Sequence, residues 1–241
     1  MLLPYYSENH PFEIGIDEAG RGPLFGRLYV AAVVCPKDIL PNEPNDESNT
    51  KKTRGKRGDI TWSHIKDSKK IKNRKHMSLC VDFIKKNSRA FAIHYIEHQR
   101  IDEINIHQAV LEGMHKCIRD ILEQLKQIQQ IQCMDVFLLV DGNDFKPFPM
   151  YDEKTDRIEM LPYTTIEGGD DRYLAIAAAS ILAKYARDEY ILNLCQEHPE
   201  LIERYSLNTN MGYGTKKHLQ GIQQFGLFDG HRLSYKPCSS L

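Results

Sequence analysis

FEIGIDEAGRGPLFGRLYVAAVVC, residues 12–35, holds two apolar runs parted by a glycine loop. Phe12–Asp17 has the length and composition of a short buried strand, and Arg27–Cys35 reads as a second one, rich in β-branched and aromatic residues. Between them Gly20, Gly22 and Gly26 allow the backbone to come close to a ligand, because no Cβ stands in the way. Asp17 and Glu18 fall where the first strand runs out. Two adjacent acids repel unless a cation or a shared proton relieves them, which suggests a metal site; the pair also reads as a turn with solvated acids.

Further along the chain, Asp135–Val140 (DVFLLV) is another apolar run of strand length, ending in Asp141-Gly142. Neighbouring strand ends in an α/β sheet converge to the distances at which carboxylates share divalent ions, which gives Asp141 a possible part beside Asp17 and Glu18. An Asp-Gly turn is the plainer reading. Ala90–Glu97 reads as a strand, and Asn73–Asn87, Ile106–Ile128, Asp170–His198 and Thr215–Phe225 as helices. In Ile106–Ile128 the apolar positions Ile106, Val110, Met114, Cys117, Ile121, Leu125 and Ile128 step by three or four, as a helix facing a sheet requires. Strands first, then alternating helix and strand, give an α/β domain with a mixed sheet. Pro36–Thr61, rich in proline, asparagine and mixed charge, reads as a solvated, flexible polar insertion.

The 241 residues suit one α/β catalytic-sized domain, 1–241, and 41% apolar with 27% charged residues is ordinary globular composition. No apolar run approaches the roughly 20 residues of a membrane span, and MLLPYYSENH lacks the layout of a signal peptide, so a cytoplasmic location is expected. Six cysteines without a CxxC pair read as buried free thiols. The net charge of −1 decides nothing, since nucleic-acid binding depends on where charge sits. HIKDSKKIKNRK (64–75) carries six Lys/Arg against one Asp, and Lys51–Arg57 is a second basic run. Such runs are solvated surface unless chemistry lies nearby.

On an unbroken helix Asp170 and Asp188 would share a face about 27 Å apart, so both cannot serve one site. Asp170 suits a helix cap or dipole partner, while Asp188 is either a surface acid beside Arg187 or the end of a Ser180, Lys184, Asp188 stripe facing a cleft. In MGYGTKKH (211–218) Tyr213 stands between glycines beside Lys216, Lys217 and His218. It reads as an exposed ring for stacking on a sugar or base, or as a helix-entry turn. His231-Arg232 contacts phosphate or closes a turn.

Together these segments resemble the ribonuclease HII family. GIDEAGRGPLFG (15–26), DSKK (67–70), Asp141-Gly142, GGDDRYLAIAAASILAKYARDEY (168–190), GYGTKKH (212–218) and His231-Arg232 followed by SYKP follow the family's motifs in order over residues 14–237. The resemblance implies a ribonuclease H-like fold with a central mixed sheet, flanking helices and a C-terminal helical region. It implies four catalytic, metal-binding carboxylates at Asp17, Glu18, Asp141 and Asp188, holding two Mg²⁺ or Mn²⁺ ions, and so favours Asp188 over Asp170. The implied substrates are RNA–DNA hybrids and ribonucleotide-containing duplex DNA, cut 5′ of a ribonucleotide to leave 5′-phosphate and 3′-OH ends. Gly20, Arg21 and Gly22 would read the ribose 2′-OH, Tyr213 the RNA–DNA junction, and Lys69, Lys184 and Lys216 phosphates.

The insertions at 36–61 and 145–167 depart from the family pattern, as do Gly168 where a lysine is frequent and Arg27 where a proline is common. Neither the extra N-terminal substrate-binding domain of ribonuclease HIII nor a C-terminal sliding-clamp peptide is expected, and a monomer is expected. A DNA nuclease of the same fold would share the acids but has no 2′-OH to read, and a non-catalytic nucleic-acid binding module would need the basic runs alone.

Overall fold

The computed structural model describes residues 2–38 and 60–240; most of the expected 36–61 insertion and the Lys51–Arg57 run lie outside the described residues. β1 (Phe12–Ala19) pairs antiparallel with β2 (Leu28–Val34), which pairs antiparallel with β3 (Ala90–Ile96). On the other side of β1 lies β4 (Val136–Asp141), parallel to it. A separate antiparallel hairpin, β5 (Pro149–Asp152) and β6 (Arg157–Met160), leads to β7 (Tyr163–Ile166), which lies parallel to β4. The sheet order β3-β2-β1-β4-β7 is mixed, as expected.

Central strands buried on both faces carry apolar residues at nearly every position, and β2 is buried throughout. Its alternation divides the core. Leu28, Val30, Ala32 and Val34 pack with Ile14, Ile16, Leu138 and Val140 under α2 (His98–Ile128), whereas Tyr29, Ala31 and Val33 pack with α1 (Arg74–Asn87) and α3 (Leu174–Glu197). α3 opens LAIAAASILA, and this run of small side chains brings it hard against β1. At Gly15 an added Cβ would stand 2.2 Å from the Ala175 carbonyl carbon, so only glycine admits this approach. α4 (Glu200–Tyr205), α5 (Leu207–Asn210) and α6 (Lys216–Phe225) form the C-terminal helical region. All six cysteines are buried and free.

Three expectations need correction. α2 begins at His98, and the expected start at Ile106 marks a break: Asn105 takes φ 67° and its side chain accepts the Gln108 N–H, capping the longer segment. The 145–167 stretch holds β5, β6 and β7, strands of four residues each, too short to carry a strong strand signal. α3 begins at Leu174, not Asp170. Asp170 lies in a preceding 3₁₀ turn, Gly169–Asp171, and Tyr173 occupies the N-cap position, so Asp170 is no cap and the helical separation from Asp188 does not apply.

His231-Arg232 does not reach outward. Both residues are buried. The His231 and His218 rings meet Nε2 to Nε2 at 3.1 Å, Phe228 N–H donates to His231 Nδ1, and His218 Nδ1 lies 2.9 Å from the Tyr213 carbonyl. Assigned from this network, both rings are neutral, each donating one hydrogen bond along the chain. Burial, then the neighbouring His218 and His98, pushes the His231 pKa down to about 4. The unfolded chain therefore binds a proton near pH 6.5 that the folded one refuses until about pH 4, so stability is full above pH 6.5 and lost as pH falls through that window. Urea unfolding at pH 7 and pH 4.5 is expected to show a drop of about 2 kcal/mol from this residue. In His231→Gln that pH dependence flattens.

Candidate active site

The parallel register Ile16↔Val140 sets Asp17 and Asp141 side by side at the carboxyl ends of adjacent strands. Alternation then turns both toward α3, since Ile16 and Val140 face α2. Glu18 follows at the mouth, and α3 lays Ser180, Lys184 and Asp188 along the opposite wall. The resulting cleft, about 460 Å³, is lined by ten of the eleven residues expected from the sequence: Asp17, Glu18, Gly20, Arg21, Gly22, Lys69, Asp141, Lys184, Asp188 and Tyr213. Lys216 is exposed at the start of α6 and stands outside that lining.

Burial is the main reason the Asp17 carboxyl is held well above the usual carboxylate range, with the charges of Glu18 and Asp141 adding to it; a hydrogen bond from the Glu18 N–H (2.7 Å) pulls the other way. Burial also raises Glu18, against the opposing pull of Arg21, which bonds it at 3.1 Å. Asp141 is raised by burial and by Asp170, and lowered by the Gly169 N–H that it accepts at 2.7 Å. Asp188 pairs with Lys184 at 2.7 Å. Among the described residues, no three His, Cys, Asp or Glu side chains stand close enough as placed to hold an ion. Glu18 and Asp188 are instead engaged by cations. The donor chemistry nevertheless fits a hard divalent ion: carboxylate oxygens in one cleft, with Asp17 raised by burial and then by the charges of Glu18 and Asp141.

Two buried arginines shape the loop, a part that nothing in the local sequence around them signals. Arg187 donates to the carbonyls of Arg27 (3.2 Å), Met211 (2.8 Å) and Phe25 (3.1 Å). Arg232 donates to those of Gly26 (2.9 Å) and Arg21 (3.1 Å), and Tyr235 adds a hydroxyl bond to Arg21 at 2.7 Å. With these carbonyls drawn inward, the N–H groups of Arg21 and Gly22 make no hydrogen bond among the described residues. Burial and the nearby Arg232 charge pull the Arg187 pKa down to about 10, which leaves it charged at neutral pH. Ser68 and Ser180 share a buried hydroxyl contact at 3.0 Å that joins the DSKK segment to α3. Arg27, which departs from the family pattern, is held between the Tyr95 and Tyr190 rings and bonded twice over to Glu97, and so is a structural tie.

The sheet order and its helical layers define a ribonuclease H-like α/β protein. Among solved structures, ribonuclease H2 from Pyrococcus horikoshii OT3 superposes with a TM-score of 0.65 at 19% identity, covering 95% of this chain and 96% of that one. Bst-RNase HIII in complex with Mn²⁺ gives a TM-score of 0.58 at 12% identity, over 90% of this chain and 71% of the other. The Ribonuclease HII family model matches residues 14–43 and 53–238. Ribonuclease HII of Bacteroides thetaiotaomicron is 36% identical over 235 residues, 98% of this chain and 94% of the relative. The chain belongs to the ribonuclease HII family, hydrolases that act as endoribonucleases on the RNA of RNA–DNA hybrids.

The clamp by Arg187 needs a planar fork of donors, which a lysine ammonium cannot replace. Arg187→Lys is expected to lose about 3 kcal/mol of stability in urea unfolding, whereas a surface position would shift by under about 0.5 kcal/mol.

Proposed function

We propose that the chain is a single catalytic domain that cuts RNA–DNA hybrids and ribonucleotide-containing duplex DNA on the 5′ side of a ribonucleotide, with Asp17, Glu18, Asp141 and Asp188 as its metal-binding carboxylates. The observation that carries this reading is the side-by-side placement of Asp17 and Asp141, with Glu18 and Asp188 lining the same cleft as the Gly-Arg-Gly loop and Tyr213. Two divalent ions, Mg²⁺ or Mn²⁺, would lower the pKa of the attacking water and stabilise the leaving 3′-oxygen. The Mn²⁺ bound by the ribonuclease HIII relative supports that choice of ion.

The chain's own groups do the rest. The N–H groups of the Arg21–Gly22 segment, without a hydrogen-bond partner among the described residues, suit a ribose 2′-OH, the one group that marks an RNA strand at such a site. Tyr213, half exposed at the cleft wall, offers a ring to the sugar at the RNA–DNA junction. Lys69 and Lys184 line the cleft and Lys216 lies beyond it; as phosphate contacts they fix register without reading sequence. Arg21 and Lys184, which hold Glu18 and Asp188, must give these acids up when ions enter. This reading is of a monomer working in the cytoplasm; no helix among the described residues is long and apolar enough to cross a membrane.

The test is a duplex carrying one ribonucleotide beside an all-DNA control, with Mg²⁺, Mn²⁺ or chelator, and mapping of the ends. Cutting is expected 5′ of the ribonucleotide, abolished by chelator and absent from the control. In Asp141→Asn it falls by about a hundredfold or more. Cutting of a long hybrid alone would confine the error to Tyr213 and the loop. Cutting of neither substrate would leave a binding module as the function.

A further inference from the structure

The 3₁₀ turn Gly169–Asp171 touches the cleft twice. The Gly169 N–H holds Asp141 at 2.7 Å, and one residue on, the Asp170 carboxylate pairs with the Lys69 ammonium at 3.3 Å. The two partners are unequal: the Asp170 side chain is 8% exposed and that of Lys69 is 78% exposed. Taking a carboxylate out of water costs more than an exposed lysine returns, and an exposed pair by itself adds little stability. Asp170 also stands close enough to raise the Asp141 carboxyl, so it worsens the crowding of acids. It does not cap α3, and Lys69 is its hydrogen-bonding partner among the described residues. Neither burial nor capping accounts for an acid at this position.

What it does is fix a cation. The DSKK backbone is already held by Asp67, which accepts the Lys69 N–H at 2.9 Å, by the Ser68–Ser180 hydroxyl contact, and by an ion pair from Lys70 to Asp171. The remaining freedom is in the long Lys69 side chain. Burial pulls its ammonium down, but Asp170, then Asp67 and Asp17, outweigh that and hold its pKa above the ordinary value. We infer that Asp170, outside the four-carboxylate set, is a positioning residue: its buried carboxylate holds the Lys69 ammonium at the cleft wall beside Asp141, where it meets a phosphate of the hybrid. The inference rests on the proposed function.

Simple charge counting and positioning predict opposite signs. Removing an acid beside a polyanion site should tighten substrate binding, whereas freeing the lysine should weaken it. Steady-state kinetics on a long RNA–DNA hybrid would compare wild type, Asp170→Asn, Lys69→Met and the double variant. Asp170→Asn is expected to raise KM about fivefold with kcat within about twofold, and to add nothing further in the Lys69→Met background. An unchanged or lower KM in Asp170→Asn, or the same loss with Lys69 already replaced, would overturn the inference. So would an Asp170→Asn protein that fails to fold while Lys69→Met folds and keeps the wild-type KM, since the acid would then serve the fold. A wild type that cuts no hybrid overturns the proposed function and this inference with it; a cutting wild type with an unmoved variant overturns the inference alone.

Discussion

Like charges held together in a desolvated place are the constraint on which this structure turns. Two carboxylates about 5 Å apart repel by about 3 kcal/mol at an effective dielectric of about 20, before the cost of burial is counted. The parallel pairing of β1 with β4 nevertheless sets Asp17 beside Asp141, and Glu18 follows at once. The fold supplies partial relief from fixed donors: the Glu18 N–H to Asp17, the Gly169 N–H to Asp141, and Arg21 and Lys184 on the two outer acids. These leave Asp17 strained toward its protonated form, which is the condition a divalent ion relieves.

The same economy governs the loop opposite. Arg187 and Arg232 lie buried near each other with no carboxylate partner among the described residues, and between them they donate to the backbone carbonyls of Arg21, Phe25, Gly26, Arg27 and Met211. They bind the Gly-Arg-Gly loop to the segment that carries Tyr213, so the residues proposed to read ribose and junction are set by one rigid tie. Their positive charge also lies behind a cleft lined with acids, which offsets part of the repulsion among them. Stability and site geometry are in this way the same set of bonds.

Much of this was legible in the sequence because burial leaves a plain mark. Strands covered on both faces read as apolar runs, the longer part of α2 as a periodic helix, and the acids at strand ends stand out against them. Ser180, Lys184 and Asp188 at four-residue spacing did form the cleft wall. What the sequence hid depends on long-range geometry. The hairpin and edge strand at 149–166 are short and half exposed, so their pairing comes from β4 and from each other. A 3₁₀ turn before α3 moved Asp170 off the helix and beside Lys69. Arg187 and Arg232 look like surface residues until their carbonyl partners, up to 211 positions away, are brought to them.

The central claim is that the fold gathers these acids for a cation and bears the repulsion when none is bound. Its most direct measurement is the thermal unfolding of wild type and Asp17→Asn, each with and without Mn²⁺. Wild type should gain about 2.7 kcal/mol at a hundredfold excess of Mn²⁺ over its dissociation constant. Without metal, Asp17→Asn should be the more stable of the two, and it should gain little from Mn²⁺. An Asp17→Asn protein less stable than metal-free wild type, or stabilised by Mn²⁺ to the same degree, would contradict the account.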